Sequence, residues 1–265
     1  MKKRYAICYN PNIENSVSVM GKLKTILAKL EQNFEVFNID KLKPECDFAF
    51  VIGGDGTILK AARFYSKYGV CVFGINLGHL GFLSQAGENN LEIAVKNIVN
   101  SDYKIEKRLM LCSGKYNALN DFVIKGEISS RVSNFQLEID GKFVCEYFAD
   151  GIIISTPTGS TAYGMAAGGP VLTPDTDAIV IVPICPHTFS ARPIVVSSQS
   201  VIKIIACPEQ QYTVSTDGQE VFDFDKEITI KRSPNEAKLA LLKGNDFYSI
   251  LRDKLHWGIS PVCNK

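Results

Sequence analysis

Several things are scarce in this 265-residue chain. No apolar run approaches the roughly 20 residues that span a bilayer. The longest, such as GIIIS from Gly151, are strand-sized, so no membrane partner is expected. Excess charge of one sign is also missing. Against 29 Lys and Arg stand 28 Asp and Glu, a net charge of +1. That balance argues against a broad nucleic-acid footprint, though not against a small local phosphate site. Paired cysteines are absent. The eight cysteines include no CxxC, and most sit in apolar runs such as Ala6-Ile7-Cys8-Tyr9. They read as buried reduced thiols rather than a zinc or disulfide framework. Histidine is scarce, and His79, His187 and His256 form no recognisable triad or metal pair. The N-terminal MKKRYAICYN is basic but has too few apolar residues for a secretory leader. It reads as a first strand, and the protein is expected in the cytoplasm.

The remaining composition is that of an ordinary globular chain, 46% hydrophobic and 22% charged. The length allows one large domain or two modest ones. The first hundred residues alternate strand and helix signals. Strands are expected at 4–9, 34–37, 47–52 and 70–75. Helical spacing covers 17–30, 57–68 and 91–99, with Thr57 as a helix cap. This alternation implies a Rossmann-like, mostly parallel sheet with helices on both faces. From about Ser101 the pattern turns to β. Asp140-Gly141 and Asp217-Gly218 each sit between alternating runs and read as two-residue hairpin turns. The tail DFYSILRDKLHW returns to helical spacing. With no internal repeat or low-complexity linker, the expected organisation is an α/β domain at 1–100, a β-rich domain at 101–243 and a C-terminal helix at 244–265. That helix is expected to pack back on the first domain.

The stretch FVIGGDGTILKAARF carries the first chemistry. It places GGDGT at the carboxyl end of a parallel strand, where open α/β sheets bind ligands. Gly53, Gly54 and Gly56 remove side chains that would block a phosphate, and the N–H groups leading to Thr57 face the anion. Gly53, Gly54 and Thr57 are the candidate phosphate-binding residues. Asp55 stands at the centre of this turn, where its charge repels phosphate. Two roles fit it: carrying a Mg²⁺ ion, or taking the proton from an attacking hydroxyl. The plain alternative is a tight turn, which aspartate also favours. No GK[ST] follows and the spacing is not GxGxxG, so neither a Walker loop nor a simple hydride-transfer site is indicated. The stretch reads as a hydroxyl kinase site.

A second constellation, ADGIIISTPTGSTAYGMAAGGPVLTP, runs from Ala149 to Pro174. Ser155, Thr156, Thr158, Ser160 and Thr161 are neutral hydrogen-bonding groups suited to a ribose, a base edge or a phosphate. Tyr163 offers a ring for stacking on a base.

Together the two stretches resemble the bacterial NAD kinases over almost the whole chain. The shared pieces are GGDGT at 53–57, NLGHLGFL at 76–83, ALND at 118–121, DGIIISTPTGSTAY at 150–163, AGGPVLTP at 167–174, ARPIVV at 191–196 and TDGQ at 216–219. The resemblance implies phosphoryl transfer from ATP, or from polyphosphate, to the 2′-hydroxyl of the adenosine ribose of NAD. By position it implies that Asp55 contacts that ribose as base or orienter, and that Gly56 and Phe82 line the adenosine pocket. Asn120 and Asp121 would hold the adenosine by hydrogen bonds. Ser160, Thr161, Ala162 and Tyr163 would meet adenine and ribose, and Asp150 would lie near the nicotinamide. A divalent cation, Mg²⁺, is expected on the nucleotide phosphates, with no dedicated metal site in the protein. A homo-oligomer, tetramer or dimer, with a shared NAD site is also implied.

Competing readings remain at this stage. GGDGT alone also fits a lipid kinase, and a non-catalytic dinucleotide sensor could share the fold. Asn120-Asp121 could be a strand-edge turn, and Asp150-Gly151 a hairpin turn. Asp217-Gly218 reads as a plain hairpin turn outside the site. Phe82 could be core. His79 would at most tune specificity, His187 and Arg192 would face the ligand or a neighbouring subunit, and Trp257 would anchor the last helix. Gly164-Met165 follows Tyr163 where relatives often carry serine or other small polar residues, and the side chains of Met165 and Ala166 cannot make a serine's hydrogen bonds.

Overall fold

The computed structural model describes residues 3–78, 81–126, 132–206, 211–224 and 226–256. It begins β1 (Arg4–Tyr9), α1 (Ser16–Lys29), β2 (Asn33–Asn38), β3 (Phe48–Ile52), α2 (Asp55–Ser66) and β4 (Cys71–Ile75). Then come β5 (Ser84–Ala86), α3 (Leu91–Val99), β6 (Lys104–Arg108), β7 (Leu111–Ser113), β8 (Tyr116–Ala118) and β9 (Asp121–Gly126). The chain continues with β10 (Ser133–Ile139), β11 (Lys142–Ala149), β12 (Gly151–Ser155), α4 (Tyr163–Ala166), β13 (Ala178–Ile184) and β14 (Ile194–Ser197). It ends with β15 (Ile202–Ala206), β16 (Tyr212–Thr216), β17 (Glu220–Phe224), β18 (Glu227–Arg232), β19 (Ala237–Leu241) and α5 (Phe247–Leu255). Contacts divide it into two compact units, Met1–Lys107 with Ala237–Lys265, and Arg108–Glu236. No helix among the described residues is long and apolar enough to cross a membrane. Trp257 lies outside the described residues.

In the first unit the strand order is β2-β1-β3-β4-β19-β6, with β5 pairing β4. β1 runs parallel to β2 and β3, β3 to β4, and β4 to β19 and β5. Every residue of β3 and β4 is buried, as strands covered on both faces require. Phe48, Phe50, Ile52, Phe73 and Ile75 pack with Val19, Leu23 and Leu27 of α1 and Val95 and Ile98 of α3. The opposite face receives α2, where Gly74 admits Ile58 Cδ1 so closely that a Cβ would lie 2.5 Å away. The order reverses between β1 and β3, and the carboxyl ends at such a switch point are where ligands bind.

The expected limits at 100 and 243 differ from this division. β6 and β19 join the first sheet, so the chain leaves the α/β unit after residue 107 and returns at 237. Residues 237–241, AKLAL, pair with β4 more than 150 positions earlier, and no local period records such a partner. In α5 Asp246 caps the helix, accepting the N–H groups of Tyr248 and Ser249.

The second unit is a sandwich of two antiparallel sheets, β11-β10-β15-β18-β7-β8 and β14-β13-β12-β9-β16-β17. Alternate residues from each, such as Phe135, Leu137, Ile204 and Ile230 against Phe122, Ile124, Ile152, Ile154 and Ile181, form one core. The second sheet is also buried on its other face, where Val123, Ile153, Val180 and Val182 meet Ala167 and Leu172. Hence GIIIS and AIVIVPI read as continuous apolar runs. Asp150-Gly151 is not a hairpin turn. The chain there steps from β11 in one sheet to β12 in the other. The described cysteines are all free. Cys8, Cys46, Cys71 and Cys112 are buried, Cys145 is half-buried and Cys185 is exposed. Burial pushes the thiols of Cys8 and Cys71 up to about 12, which leaves them unreactive.

Phe50 packs between the rings of Tyr5, Phe48 and Phe73. Truncation to alanine should lower the unfolding free energy by about 3–5 kcal/mol. The check is a urea titration in which the midpoint falls and the slope is unchanged.

Candidate active site

β3 ends at Ile52 and runs into Gly53, whose φ of +153° suits glycine. A Cβ there would lie 2.6 Å from Thr57 Oγ1. Gly54 is the N-cap of α2, so the helix begins at Asp55. Thr57 is therefore not the cap. It is a buried residue of the first turn, its N–H bonded to Gly54 O at 2.9 Å. Glycine serves as N-cap without a side-chain bond, and an acid in the first turn favours the helix dipole. Gly54 and Gly56 are exposed and Asp55 is half-buried.

The Asp55 carboxylate is held by the segment after β4. Phe82 N–H donates to Oδ2 at 2.8 Å and Leu83 N–H to Oδ1 at 3.1 Å. Gly81 makes this possible, because a Cβ there would sit 1.9 Å from Asp55 Oδ1. Ser84 Oγ accepts the Gly81 N–H at 2.7 Å and sets the turn. An ionised carboxylate has about four acceptor positions. The two N–H bonds leave one on each oxygen for a hydroxyl proton or a cation. Phe82 is half-buried with Lys254 Nζ of α5 5.6 Å from its ring centre, so it is not simply core. His79 lies outside the described residues.

In the second unit Asn120 and Asp121 stand where β8 gives way to β9. Register places Asp121 opposite Ser155 of β12. Thr156 N–H donates to Asn120 O at 2.8 Å and Thr156 Oγ1 to Leu119 O at 2.6 Å. Gly159 packs on the same turn, where a Cβ would lie 2.2 Å from Asn120 O. Thus the ALND and STPTGSTAY stretches meet in space. The hydroxyl row, however, mostly holds the fold. Ser160 Oγ donates to Pro157 O and accepts the Leu172 N–H, and Thr158 Oγ1 accepts from Arg108. Thr161 and Ala162 are half-exposed, and Tyr163 is exposed with Lys125 Nζ 5.0 Å from its ring centre. Asp150 stands apart. It is exposed at the opposite end of β12 from Ser155, about 17 Å away at the usual strand rise. His187 and Arg192 are also exposed, and Arg192 Nη1 donates to Phe189 O and Ala191 O of its own loop. Met165 and Ala166 lie on α4.

Asp121 is 4% exposed. Burial, and then the nearby charge of Asp217, push its carboxyl up to about 7. Spacing alone missed the roles of Gly81 in the first unit and Asp217 in the second, because both act on segments distant in sequence.

Comparison with known proteins bears on these two halves. The N-terminal domain model of ATP-NAD kinases matches residues 5–103, and the C-terminal domain model matches residues 119–242. The NAD kinase of Azotobacter vinelandii is 42% identical over 237 residues, 84% of this chain and 80% of the relative. That of Pseudomonas fluorescens Pf0-1 is 45% identical over 226 residues, 80% and 76% of the two chains. Among solved structures, an NAD kinase from Archaeoglobus fulgidus in complex with ATP has a TM-score of 0.81 at 31% identity, covering 96% of this chain and 98% of its own. A yeast NADH kinase complexed with NADH has a TM-score of 0.86 at 25% identity, covering 100% and 90%.

The raised Asp121 carboxyl carries a stability signature. Its contribution is full below the unfolded value of about 4 and is lost as pH rises through about 7. Wild type should lose urea resistance between pH 5 and 8 more steeply than Asp121→Asn, which removes the titration.

Proposed function

This chain belongs to the NAD kinase family and phosphorylates NAD, and from that premise we propose how its residues divide the reaction. The acceptor is the 2′-hydroxyl of the adenosine ribose and the product is NADP. ATP is the donor, a reading supported by the ATP complex of the Archaeoglobus relative. The NADH complex of the yeast relative supports a nicotinamide dinucleotide as acceptor. No relative supports a lipid acceptor.

The observation that carries this reading is the grip of Phe82 and Leu83 on Asp55. A carboxylate fixed at both oxygens is aimed without being used up. Its remaining lone pairs accept the ribose hydroxyl proton as the oxygen attacks phosphorus. Gly53, Gly54 and Thr57 present the start of α2 to the phosphates, and Gly56 and Phe82 flank the adenosine. Asn120 and Asp121 hold the adenosine by hydrogen bonds, with Thr161, Ala162 and Tyr163 beside adenine and ribose. Ser160, whose hydroxyl is engaged internally, contributes by shaping that turn. A divalent cation suits a site whose donors are one aimed carboxylate and the phosphate oxygens. Asp55 is the residue of this chain that would help hold it, and its chemistry is neutralisation of phosphate charge.

The enzyme reads as a homo-oligomer, dimer or tetramer. Asp150 lies a strand's length from Asn120, which suits service to a neighbouring subunit's ligand. Phe143, Phe148 and Phe189 are 60%, 46% and 97% exposed, a surface that suits a partner. Free thiols suit a cytoplasmic enzyme.

Purified protein given NAD, ATP and Mg²⁺ should form NADP, scored with an NADP-specific dehydrogenase. Formation of none, with ATP or polyphosphate, would sink the reading. Asp55→Asn should keep NAD affinity within several-fold and lower turnover by about 10² or more. Asn120→Ala should raise KM for NAD more than it lowers kcat. Co-expressing Asp55→Asn with Asp150→Ala should restore activity above either alone if each subunit completes its neighbour's site. Equal activity would place Asp150 elsewhere.

A further inference from the structure

The turn joining β16 to β17 does more than reverse the chain. Asp217 and Gly218 have φ of +52° and +64°, the paired positive values of a type I′ turn. Asparagine or glycine would close such a turn equally well. Turn geometry therefore does not account for the carboxylate.

Its oxygens accept three consecutive backbone N–H groups from a distant segment. Leu119 N–H donates to Oδ2 at 3.1 Å, and Asn120 and Asp121 N–H donate to Oδ1 at 2.7 and 3.2 Å. The Asp217 N–H returns a bond to Asp121 O at 3.0 Å. Thr156 takes the opposite side of the same segment through the carbonyls of Leu119 and Asn120. The segment is thus clamped, its donors on Asp217 and its acceptors on Thr156. Successive N–H groups converging on an anion form a nest, and here the anion belongs to the protein.

We propose that Asp217 is a positioning residue for the nucleotide: by holding the Leu119–Asp121 backbone it aims the Asn120 and Asp121 side chains at the ligand. This rests on the reading that those two side chains hold the adenosine. The electrostatics agree. Asp217 is the charge that, after burial, raises the Asp121 carboxyl. The neighbouring β12 brings uncharged Ser155 opposite Asp121, followed by uncharged Thr156. Arg108 is bonded to Thr158, and Lys125, farther along β9, lies over the Tyr163 ring.

The test uses Asp217→Asn and Asp217→Gly in the full-length enzyme, both compatible with the turn. Asn keeps one acceptor oxygen but faces one N–H with its own amide, and Gly removes all three bonds. KM for NAD should rise roughly ten- to a hundredfold in the Gly variant, as loss of hydrogen bonds to a charged group implies, and less in the Asn variant. KM for ATP and kcat should change far less. If the Asp121 side chain holds the adenosine, kcat/KM for NAD should show a pH inflection that Asp121→Asn abolishes, and it should move to lower pH in both Asp217 variants, since a like charge is gone. If the Gly variant does not fold, the Asn variant carries the test alone. An unmoved inflection, or equal losses in KM for NAD, KM for ATP and kcat, would overturn the positioning role. An unchanged KM for NAD in Asn120→Ala would instead overturn the adenosine reading beneath it.

Discussion

On the proposed role of Asp55, the chemistry depends on keeping a carboxylate beside phosphate. Two unit charges at 4 Å repel by about 4 kcal/mol at the effective dielectric of a protein surface. Left free, the Asp55 side chain would swing into water when a phosphate approached. The N–H groups of Phe82 and Leu83 oppose this, each hydrogen bond to a charged group contributing about 1.5–3 kcal/mol. The two are comparable, so the side chain holds its aim. The start of α2 adds a smaller favourable field of about 0.3–1 kcal/mol. The missing side chain of Gly81 lets the two segments approach closely enough for these bonds.

The second unit solves a related problem with the same means. Its turn at Leu119 to Asp121, proposed above to hold the adenosine, is ordered by backbone bonds to Asp217 on one side and Thr156 on the other. Gly159 allows the Thr156 loop to lie directly against Asn120. In both units glycine gives close approach, and bonds between a carboxylate and backbone N–H groups distant in sequence fix the local geometry. Rigid placement of this kind reduces the ordering cost that binding would otherwise meet.

Much of the architecture is legible in the sequence. The alternation of the first hundred residues gave α1, α3 and the buried strands to within a residue or two. Asp140-Gly141 and Asp217-Gly218 both mark hairpins, as their positive φ values require. Most of the failures share one cause. The start of α2 was read at Thr57 because a hydroxyl is the stronger cap signal, whereas glycine caps with its backbone. Asp150-Gly151 looked like a turn because sequence does not record a change of sheet. The serines and threonines of STPTGSTAY looked like a ligand wall because their internal partners, Pro157 and Leu172 among them, are set by the loop's path. Asp217 looked like punctuation because its three donors lie nearly a hundred residues earlier. Period and turn chemistry report on neighbours along the chain, and these roles are set by neighbours across it.

The placement of β19 between β4 and β6 has a consequence for the chain as it is made. Until residues 237–241 leave the ribosome, the first part of β4, at Cys71 and Val72, has an open parallel edge and β6 has no strand beside it. The 108–236 core needs only residues already synthesised, so it can consolidate while the surrounding sheet waits. Unpaired edges of this kind recruit other chains. Residues 237–241 therefore close the sheet late, and until they arrive the nascent chain carries a sticky flank.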